Sequence, residues 1–478
     1  MDYGALLKFV SGRFGSCVSV ADYYKDIATW LTWYKGFDPT FHTIVTSNGM
    51  TVPKRELYQL RMGERVSRDW ASTVCSEPPT IVVSSMNEKS SIFVQGSKNN
   101  TGVLGTNNFN ELLSMSLEQM FALGTSAIVV NLENIAVDRE GNITDASRGR
   151  IGFSVFNATR IIPISSNNNI ITECAFITQV RHKGQPYFVV SAHKLESDGY
   201  VIYNVVINQN YNISSLPLGT LPVIRTRSYK PLFYIFKPNM VNNIDLDSPL
   251  GVSVYANAID NLKSVDQAFD ACIRDVVTGQ RIILMNKCLL TTDEAGRPIV
   301  PQDVKQTYMQ FFGDEASAGV GEFIKEFTPK LNSTELDAEL QNQLNLLSFK
   351  CGLGIHYYNF DRAGGITATQ YAGERQDFVR NVKRMNVGIA DTIASIVRVV
   401  LELGANVLRN GVDASAKVDV SMPDGIVEDD SKEREQDRLD VKDGIMSKAE
   451  YRAKWYGETL EEAYLHLAGI NTTASNIV

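Results

Sequence analysis

The chain has 478 residues, of which 44% are hydrophobic and 21% charged, and these ordinary globular proportions exclude a largely disordered protein. Its length is typical of about three domains. The formal net charge of −8 argues against a non-specific nucleic-acid binder, because affinity for phosphate comes from accumulated Lys and Arg.

The first part of the chain alternates helical and strand patterns. SVADYYKDIATWLTWYK (19–35) predicts a helix that ends at Gly36, and FNELLSMSLEQMFALG (109–124) predicts another, which leads into the strand SAIVVNL. From about 151 to 208 the hydrophobic period is two, and glycine-containing turns separate three strands of an antiparallel meander. This mixture, up to about residue 247, predicts one α+β domain.

The next segment, SPLGVSVYANAIDNLKSVDQAFDACIRDVVTGQ (248–280), predicts one uninterrupted helix, the first rod. Ser248 and Pro249 suit a helix start, and Gly279 suits its end. At 1.5 Å per residue the rod would be roughly 40 Å long. One arc of the rod is apolar: Tyr255, Ala258, Ile259, Leu262, Val265, Phe269, Cys272, Ile273 and Val276. The residues expected on its wet face include Asn257, Asp260, Ser264, Gln267, Asp270 and Arg274.

Two more helices follow a small insertion. NSTELDAELQNQLNLLSFKCG (332–352) predicts one of them, with Asn332 and Glu335 spaced as in a capping box. The glycine-rich aromatic loop GIHYYNFDRAGGI (354–366) separates it from a third long helix. The apolar stripe of that helix keeps a 3.6-residue period and comprises Tyr371, Phe378, Val382, Met385, Ile389, Ile393, Ile396, Val400 and Leu403.

The C-terminal part predicts the strand AKVDVSM, an acidic run and short helices. Two of these helices begin with capping boxes, Ser447 with Glu450 and Thr459 with Glu462. The acidic run at 428–430 is compatible with a metal site, but a solvated helix N-terminus is the better interpretation.

Motifs for catalysis, cofactors and metals are missing from the sequence. It has no GxxxxGK[ST], HExxH or GxSxG, its six cysteines form no CxxC pair, and its five histidines lie far apart. We therefore expect no enzymatic activity, no cofactor, no metal and reduced thiols. MDYGALLKF predicts no signal peptide. The apolar stretch IADTIASIVRVVLELGANVL carries Asp391, Arg398 and Glu402, so it predicts a buried helix rather than a membrane span.

Several segments together resemble the portal (connector) proteins of tailed bacteriophages, of the siphophage type. They are IATWLTWYKGF, RIIPIS before the meander, PLFYIFKPNMVNNIDLDSPLGVSVYANAIDNLKSVDQAFD, GGITATQYAGERQDF and GIMSKAEYRAKWYGETLEEAYLHLAGI. The similarity covers nearly the whole chain in the family's order.

The resemblance implies an α+β portal fold with long stem and wing helices, an antiparallel β meander in the wing, a small α/β clip and a helical crown. Its implied parts, in chain order, are the N-terminal wing (1–248), stem helix 1 (249–278), the clip (279–332), stem helix 2 (333–353), the tunnel loop (354–366), the long wing helix (367–410), and the crown with the C-terminal tail (411–478).

The resemblance also implies a function. Portal proteins form a ring, usually a dodecamer, at one capsid vertex, and double-stranded DNA passes through its channel during packaging and ejection without sequence-specific binding. The implied partners are further copies of the chain, terminase, major capsid and scaffold proteins, and head-completion or adaptor proteins, with no membrane. The implied location is the virion, and the host cytoplasm during assembly. The alternative is another structural head protein, a capsid or scaffold subunit without a channel.

Three surfaces would carry this function. The tunnel loop would face DNA through Tyr357, Tyr358, Asn359 and Arg362, with Arg362 making transient phosphate contacts; alternatively, its aromatic residues pack under the wing and Arg362 pairs with a nearby acid. The wet face of the first rod would line the channel. The clip would dock partners through a polar turn that contains Thr291, Asp293, Glu294 and Arg297.

Overall fold

The chain forms two compact units, Met1–Asp424 and Gly425–Val478. The computed structural model describes residues 2–15, 21–44, 55–85, 88–97, 101–214, 220–279, 282–286, 309–312, 324–327, 330–359, 368–423, 430–456 and 458–474. Both helices and strands are abundant, which confirms the α+β class.

The helices of the first unit are α1 (Tyr3–Phe14), α2 (Ala21–Lys35), α3 (Pro39–His42), α4 (Met62–Val74), α5 (Glu88–Gln95), α6 (Gly102–Thr106), α7 (Phe109–Leu123), α8 (Ile259–Thr278), α9 (Ser333–Lys350) and α10 (Ala368–Asn406). Those of the second unit are α11 (Asp430–Lys442), α12 (Lys448–Tyr456) and α13 (Leu460–Ala474). The predicted helix ends near residues 35 and 123 are confirmed.

The strands are β1 (Thr43–Ile44), β2 (Arg55–Glu56), β3 (Thr80–Ser84), β4 (Ser126–Glu133), β5 (Ala136–Val137), β6 (Ile143–Asp145), β7 (Arg150–Asn157), β8 (Ile161–Asn167), β9 (Ile170–His182), β10 (Gln185–Glu196), β11 (Gly199–Ile207), β12 (Val223–Arg225), β13 (Phe233–Phe236), β14 (Ile282–Asn286), β15 (Met309–Phe312), β16 (Ile324–Phe327) and β17 (Lys417–Ser421).

The three predicted strands of the meander are confirmed as β9, β10 and β11, and β8 and β12 extend them to a five-stranded antiparallel sheet in the order β12-β11-β10-β9-β8. Lys183 and Gly184 form the turn between β9 and β10, both with positive φ (50° and 80°), as a tight hairpin requires. Both faces of the middle of β10 are buried, at Val189, Val190, Ala192 and His193, and the ring of His193 contacts those of Phe176 and Phe233. Burial lowers the pKa of His193 to about 3, so its imidazole stays neutral.

A second, three-stranded sheet, β13-β4-β7, packs against α7 in the centre of the first unit. The first five residues of its central strand β4 are buried, as the apolar run SAIVVNL predicts. Gly124 ends α7 with a φ of 78°, and its backbone lies directly against that of Gly251. A Cβ atom on either glycine would meet the carbonyl oxygen of the other, so both positions require glycine.

The third long helix is confirmed as α10, which runs for 39 residues. Its predicted stripe is buried from Phe378 to Leu403. Of the charged residues in the apolar stretch, Glu402 pairs with Lys230 (2.9 Å), Arg398 donates to the carbonyl of Val418 (3.4 Å), and Asp391 is exposed. Within the residues that the structure describes, no helix is long and apolar enough to cross a membrane.

The first rod begins later than predicted, since residues 249–255 are not helical and α8 starts at Ile259. The backbone of this buried segment is bonded to the body instead. The Gly251 N–H donates to Thr125 Oγ1 (2.9 Å), and the Val254 N–H donates to the carbonyl of Phe121 (3.1 Å). These contacts satisfy the backbone groups that a helix would have bonded internally, so the prediction of one continuous helix is wrong.

The boundary of the C-terminal region also differs from the prediction. The strand β17 pairs antiparallel with β3, so the segment up to residue 424 belongs to the first unit rather than to the helical tail. In the second unit both capping boxes are confirmed. Ser447 and Glu450 bond reciprocally (3.1 and 2.8 Å), as do Thr459 and Glu462 (3.3 and 2.9 Å).

Candidate functional site

The helices α8 and α9 form an antiparallel pair, which we call the hairpin. At one end the Asn332 N–H donates to Asp275 Oδ2 (2.8 Å), and at the other end Lys350 Nζ lies 3.4 Å from the carbonyl oxygen of Asn257. The predicted capping box at Asn332 is not formed, because its side chain makes no cap hydrogen bond. Between the two helices the chain builds a small sheet, β15-β14-β16, with β14 parallel to β15 and antiparallel to β16.

The predicted wet face of the first rod is largely in water. Asn257, Asp260, Gln267 and Arg274 are exposed, while Ser264 is half-buried and its hydroxyl donates to the carbonyl of Asp260 (2.9 Å). Asp260, Ser264, Gln267 and Arg274 lie on one side of α8, so polar side chains reach water at several points along this helix.

Asp270 was placed on that wet face, and this prediction is wrong because the side chain is buried. Its two carboxylate oxygens accept from both terminal nitrogens of Arg55 (3.1 and 2.5 Å), and one also accepts from the Tyr58 N–H (3.1 Å). A bidentate guanidinium–carboxylate ion pair of this kind is strong and geometrically specific. Asp270 therefore fixes the segment around β2 to α8.

One turn earlier on α8, Asp266 makes a second buried contact that the sequence analysis missed. Its carboxylate lies 2.9 Å from His42 Nε2 and accepts from the Leu60 N–H (2.8 Å). Burial raises the pKa of Asp266, and the hydrogen bonds from His42 and Leu60 offset part of that rise. The sequence signal was the spacing of four residues between the two acids, which puts them on one helix face.

The apolar arc of the first rod is buried only in part. Leu262 and Val265 lie in the core, Phe269 is half-buried, and Val276 is 61% exposed. The hairpin is therefore anchored to the body at the end where α8 begins, and its arc reaches water toward the end where α8 terminates.

The start of the tunnel loop packs against the body. The Tyr358 hydroxyl donates to Asp69 Oδ2 (2.9 Å), and the ring of Tyr357 meets that of Phe378 edge-on. Burial raises the pKa of Tyr358, so the phenol stays protonated. These contacts agree with the alternative in which the aromatic residues pack against the body. Tyr357, Tyr358 and Asn359 all keep intermediate exposure, and their contact with DNA stays a prediction.

The remaining predicted site residues, Arg362, Thr291, Asp293, Glu294 and Arg297, lie outside the described residues. Across the described ranges, no group of three or more His, Cys, Asp or Glu side chains is placed to hold a metal ion. The described cysteines, Cys75, Cys174, Cys272 and Cys351, form no disulfide with one another.

The chain is similar to solved structures of the neck of a gene transfer agent (GTA) particle. With the neck of the native particle, computed with C12 symmetry, identity is 11% and the TM-score is 0.41, over 82% of this chain and 88% of that chain. With the neck of the empty particle, computed with C6 symmetry, identity is 10% and the TM-score is 0.37, over the same shares. No protein-family profile matches the chain, and no curated protein matches it.

Proposed function

We propose that the chain is a portal subunit that forms a ring-shaped channel at one capsid vertex, through which DNA is packaged and ejected. The observation that supports this best is the order of elements: an antiparallel hairpin, a small sheet between its helices, and then the 39-residue α10 beside an α+β body. These correspond to the stem, clip and wing that the sequence resemblance implies.

The surfaces of the hairpin are compatible with a channel wall. Its polar side is exposed along α8, while apolar residues such as Val276 and Phe349 are exposed elsewhere on the pair. A contact between two different surfaces of identical subunits closes into a ring when its rotation divides the circle. The net charge of −8 per copy disfavours tight binding of DNA in such a channel.

Electron microscopy of the purified protein tests this proposal. Closed rings with a central hole are expected, in a molar-mass class well above the 53.0 kDa of one chain. Curved sheets would favour a capsid or scaffold subunit instead, and a stable monomer at micromolar concentration in several salts would contradict both.

The proposed portal performs no catalysis, and terminase supplies the energy for packaging. In support of this, three buried carboxylates in the described part of the chain are engaged in contacts that fix the fold: Asp69 with Tyr358, Asp266 with His42, and Asp270 with Arg55. The purified protein should hydrolyse no ATP. ATP hydrolysis by the purified protein would contradict the proposal if a point mutation in this chain abolished it.

The segment between α8 and α9 is the proposed docking surface for terminase and head-completion proteins. Deleting residues 291–297 should leave rings intact and weaken terminase binding, measured by co-sedimentation with purified rings. Unchanged binding would move the docking surface elsewhere.

A further inference from the structure

One face of α9 changes character along its length. Glu339, Leu346 and Phe349 are spaced by seven and three residues, so they lie on the same side of the helix. All three are exposed, Leu346 by 51% and Phe349 by 64%. We call these residues the α9 stripe; it is acidic toward the start of the helix and apolar toward its end.

A groove on the same chain has the complementary character. It has a volume of about 480 Å³ and lies between α10 and the loop that follows β13. Its walls include the exposed apolar residues Val241, Leu246 and Val387, and Arg384 stands at its rim. We call this the α10 groove. An apolar surface of this kind, rimmed by a charge, is typical of a protein contact.

Gly388 leaves room for a close neighbour in the α10 groove. Glycine weakens the interior of a helix, yet Gly388 lies well inside α10. A Cβ atom there would have nothing within 4 Å, so packing inside the described chain does not require the glycine. The absent side chain allows another helix to approach α10 closely at this point.

Charge and spacing match between the two surfaces. Glu339 precedes Leu346 by seven residues, and Arg380 precedes Val387 by seven residues, which is roughly 10 Å in each helix. Arg380 now pairs with Asp377 (2.7 Å), but both side chains are about three-quarters exposed, and such surface pairs stabilise little. If the two helices run parallel, Leu346 can contact Val387 while Glu339 lies opposite Arg380.

We propose that the α9 stripe of one copy packs into the α10 groove of a second copy, with the two helices parallel. The contact joins two different surfaces of the same chain, so each copy can be both donor and acceptor, and the contact propagates until it closes. The inference rests on the proposed function, because it names the surfaces through which copies of the portal would meet.

A mixing experiment with cysteine variants tests the contact directly. Full-length Leu346→Cys and Val387→Cys proteins are purified separately, reduced, mixed, assembled and oxidised. A covalent dimer is expected in the mixture, and neither variant alone should give it above the background of the native cysteines. The double variant should give a ladder from dimer upward, whereas a contact between identical patches would stop at dimers. Leu195→Cys, an exposed leucine on β10, replaces Leu346→Cys as the matched control and should give no dimer with Val387→Cys.

Charge reversal gives a second, independent test. Glu339→Arg should lower the assembled fraction at low salt by about fivefold, since an exposed ion pair contributes at most about that factor. Adding Arg380→Glu should restore assembly, because the charges of Glu339 and its proposed partner Arg380 are then exchanged.

The outcomes separate the two proposals. Closed rings without the Leu346–Val387 crosslink, or without rescue by the charge exchange, would overturn this interface and leave the portal proposal standing. A wild-type protein that stays monomeric would overturn the portal proposal itself. Crosslinking of Leu346→Cys to a capsid or scaffold protein, but never to Val387→Cys, would show that the stripe serves another partner and overturn the second-copy contact.

Discussion

The long helix α10 and the hairpin of α8 and α9 carry similar amphipathic patterns but bury them differently. From Phe378 to Leu403 the stripe of α10 is covered by its own chain. On α8 the arc is buried at Leu262 and exposed at Val276, and on α9 Phe349 is exposed. The same 3.6-residue period therefore belongs to a buried helix in one region and to a partly exposed helix pair in the other.

Amphipathicity therefore predicts a helix but not what covers its apolar side. Each core position on α10 contributes to the stability of the subunit, whereas the exposed positions of the hairpin contribute little to it. Substitutions in α10 should therefore lower the free energy of unfolding of the single chain much more than substitutions at the exposed positions of the hairpin.

The largest effect is expected in the middle of α10. Ile396→Asp places an unpaired carboxylate in a fully buried position, which should lower the free energy of unfolding by at least about 4 kcal/mol or prevent folding. Urea denaturation followed by circular dichroism measures it. Asp391→Ala, at an exposed position of the same helix, should change stability by less than about 0.5 kcal/mol. Equal effects would contradict the burial of the stripe.

The next largest effect is expected where the hairpin joins the body. Asp270→Ala leaves Arg55 and the Tyr58 N–H without their partner, at a cost of about 2 kcal/mol, because the one-third exposure of Arg55 lets water recover part of the loss. Hydrogen exchange should also speed up at Tyr58. Asp260→Ala, exposed on the same helix, is the control and should leave both quantities nearly unchanged.

A smaller effect is expected at the start of the tunnel loop. Tyr358→Phe removes the hydroxyl that donates to Asp69 and should lower the free energy of unfolding by about 1.5 kcal/mol, the usual value for a hydrogen bond to a charged group. Tyr229→Phe removes an exposed hydroxyl and is the control. No difference between the two variants would show that the loop start is not held as described.

The smallest effect is expected at the exposed end of the apolar arc. Val276→Ser should change the free energy of unfolding of the single chain by less than about 0.5 kcal/mol, because the valine is mostly in water already. A loss comparable with that of Ile396→Asp would show that the arc is covered along its whole length and remove the contrast with α10.

The sequence predicted α10 and the meander well because their periods, 3.6 and two, are local properties of the chain. The sequence-based prediction failed where contacts with residues distant in the sequence determine the local structure. Helical spacing continued through 249–255, but Gly251 bonds to Thr125, and Asp270 was assigned to water because Arg55 lies 215 residues away in the sequence. The candidate surfaces were thus predictable as helices, but their buried ion pairs were not.

The back-to-back glycines Gly124 and Gly251 limit how this chain can vary. Because a Cβ atom on either residue would strike the carbonyl oxygen of the other, no exchange at one position can be compensated by a change at its partner. Selection from a library randomised at both sites should therefore return glycine twice, with no paired substitutions. Methods that infer contacts from correlated sequence changes would consequently be blind to this junction, although the two backbones leave no room for a Cβ atom between them.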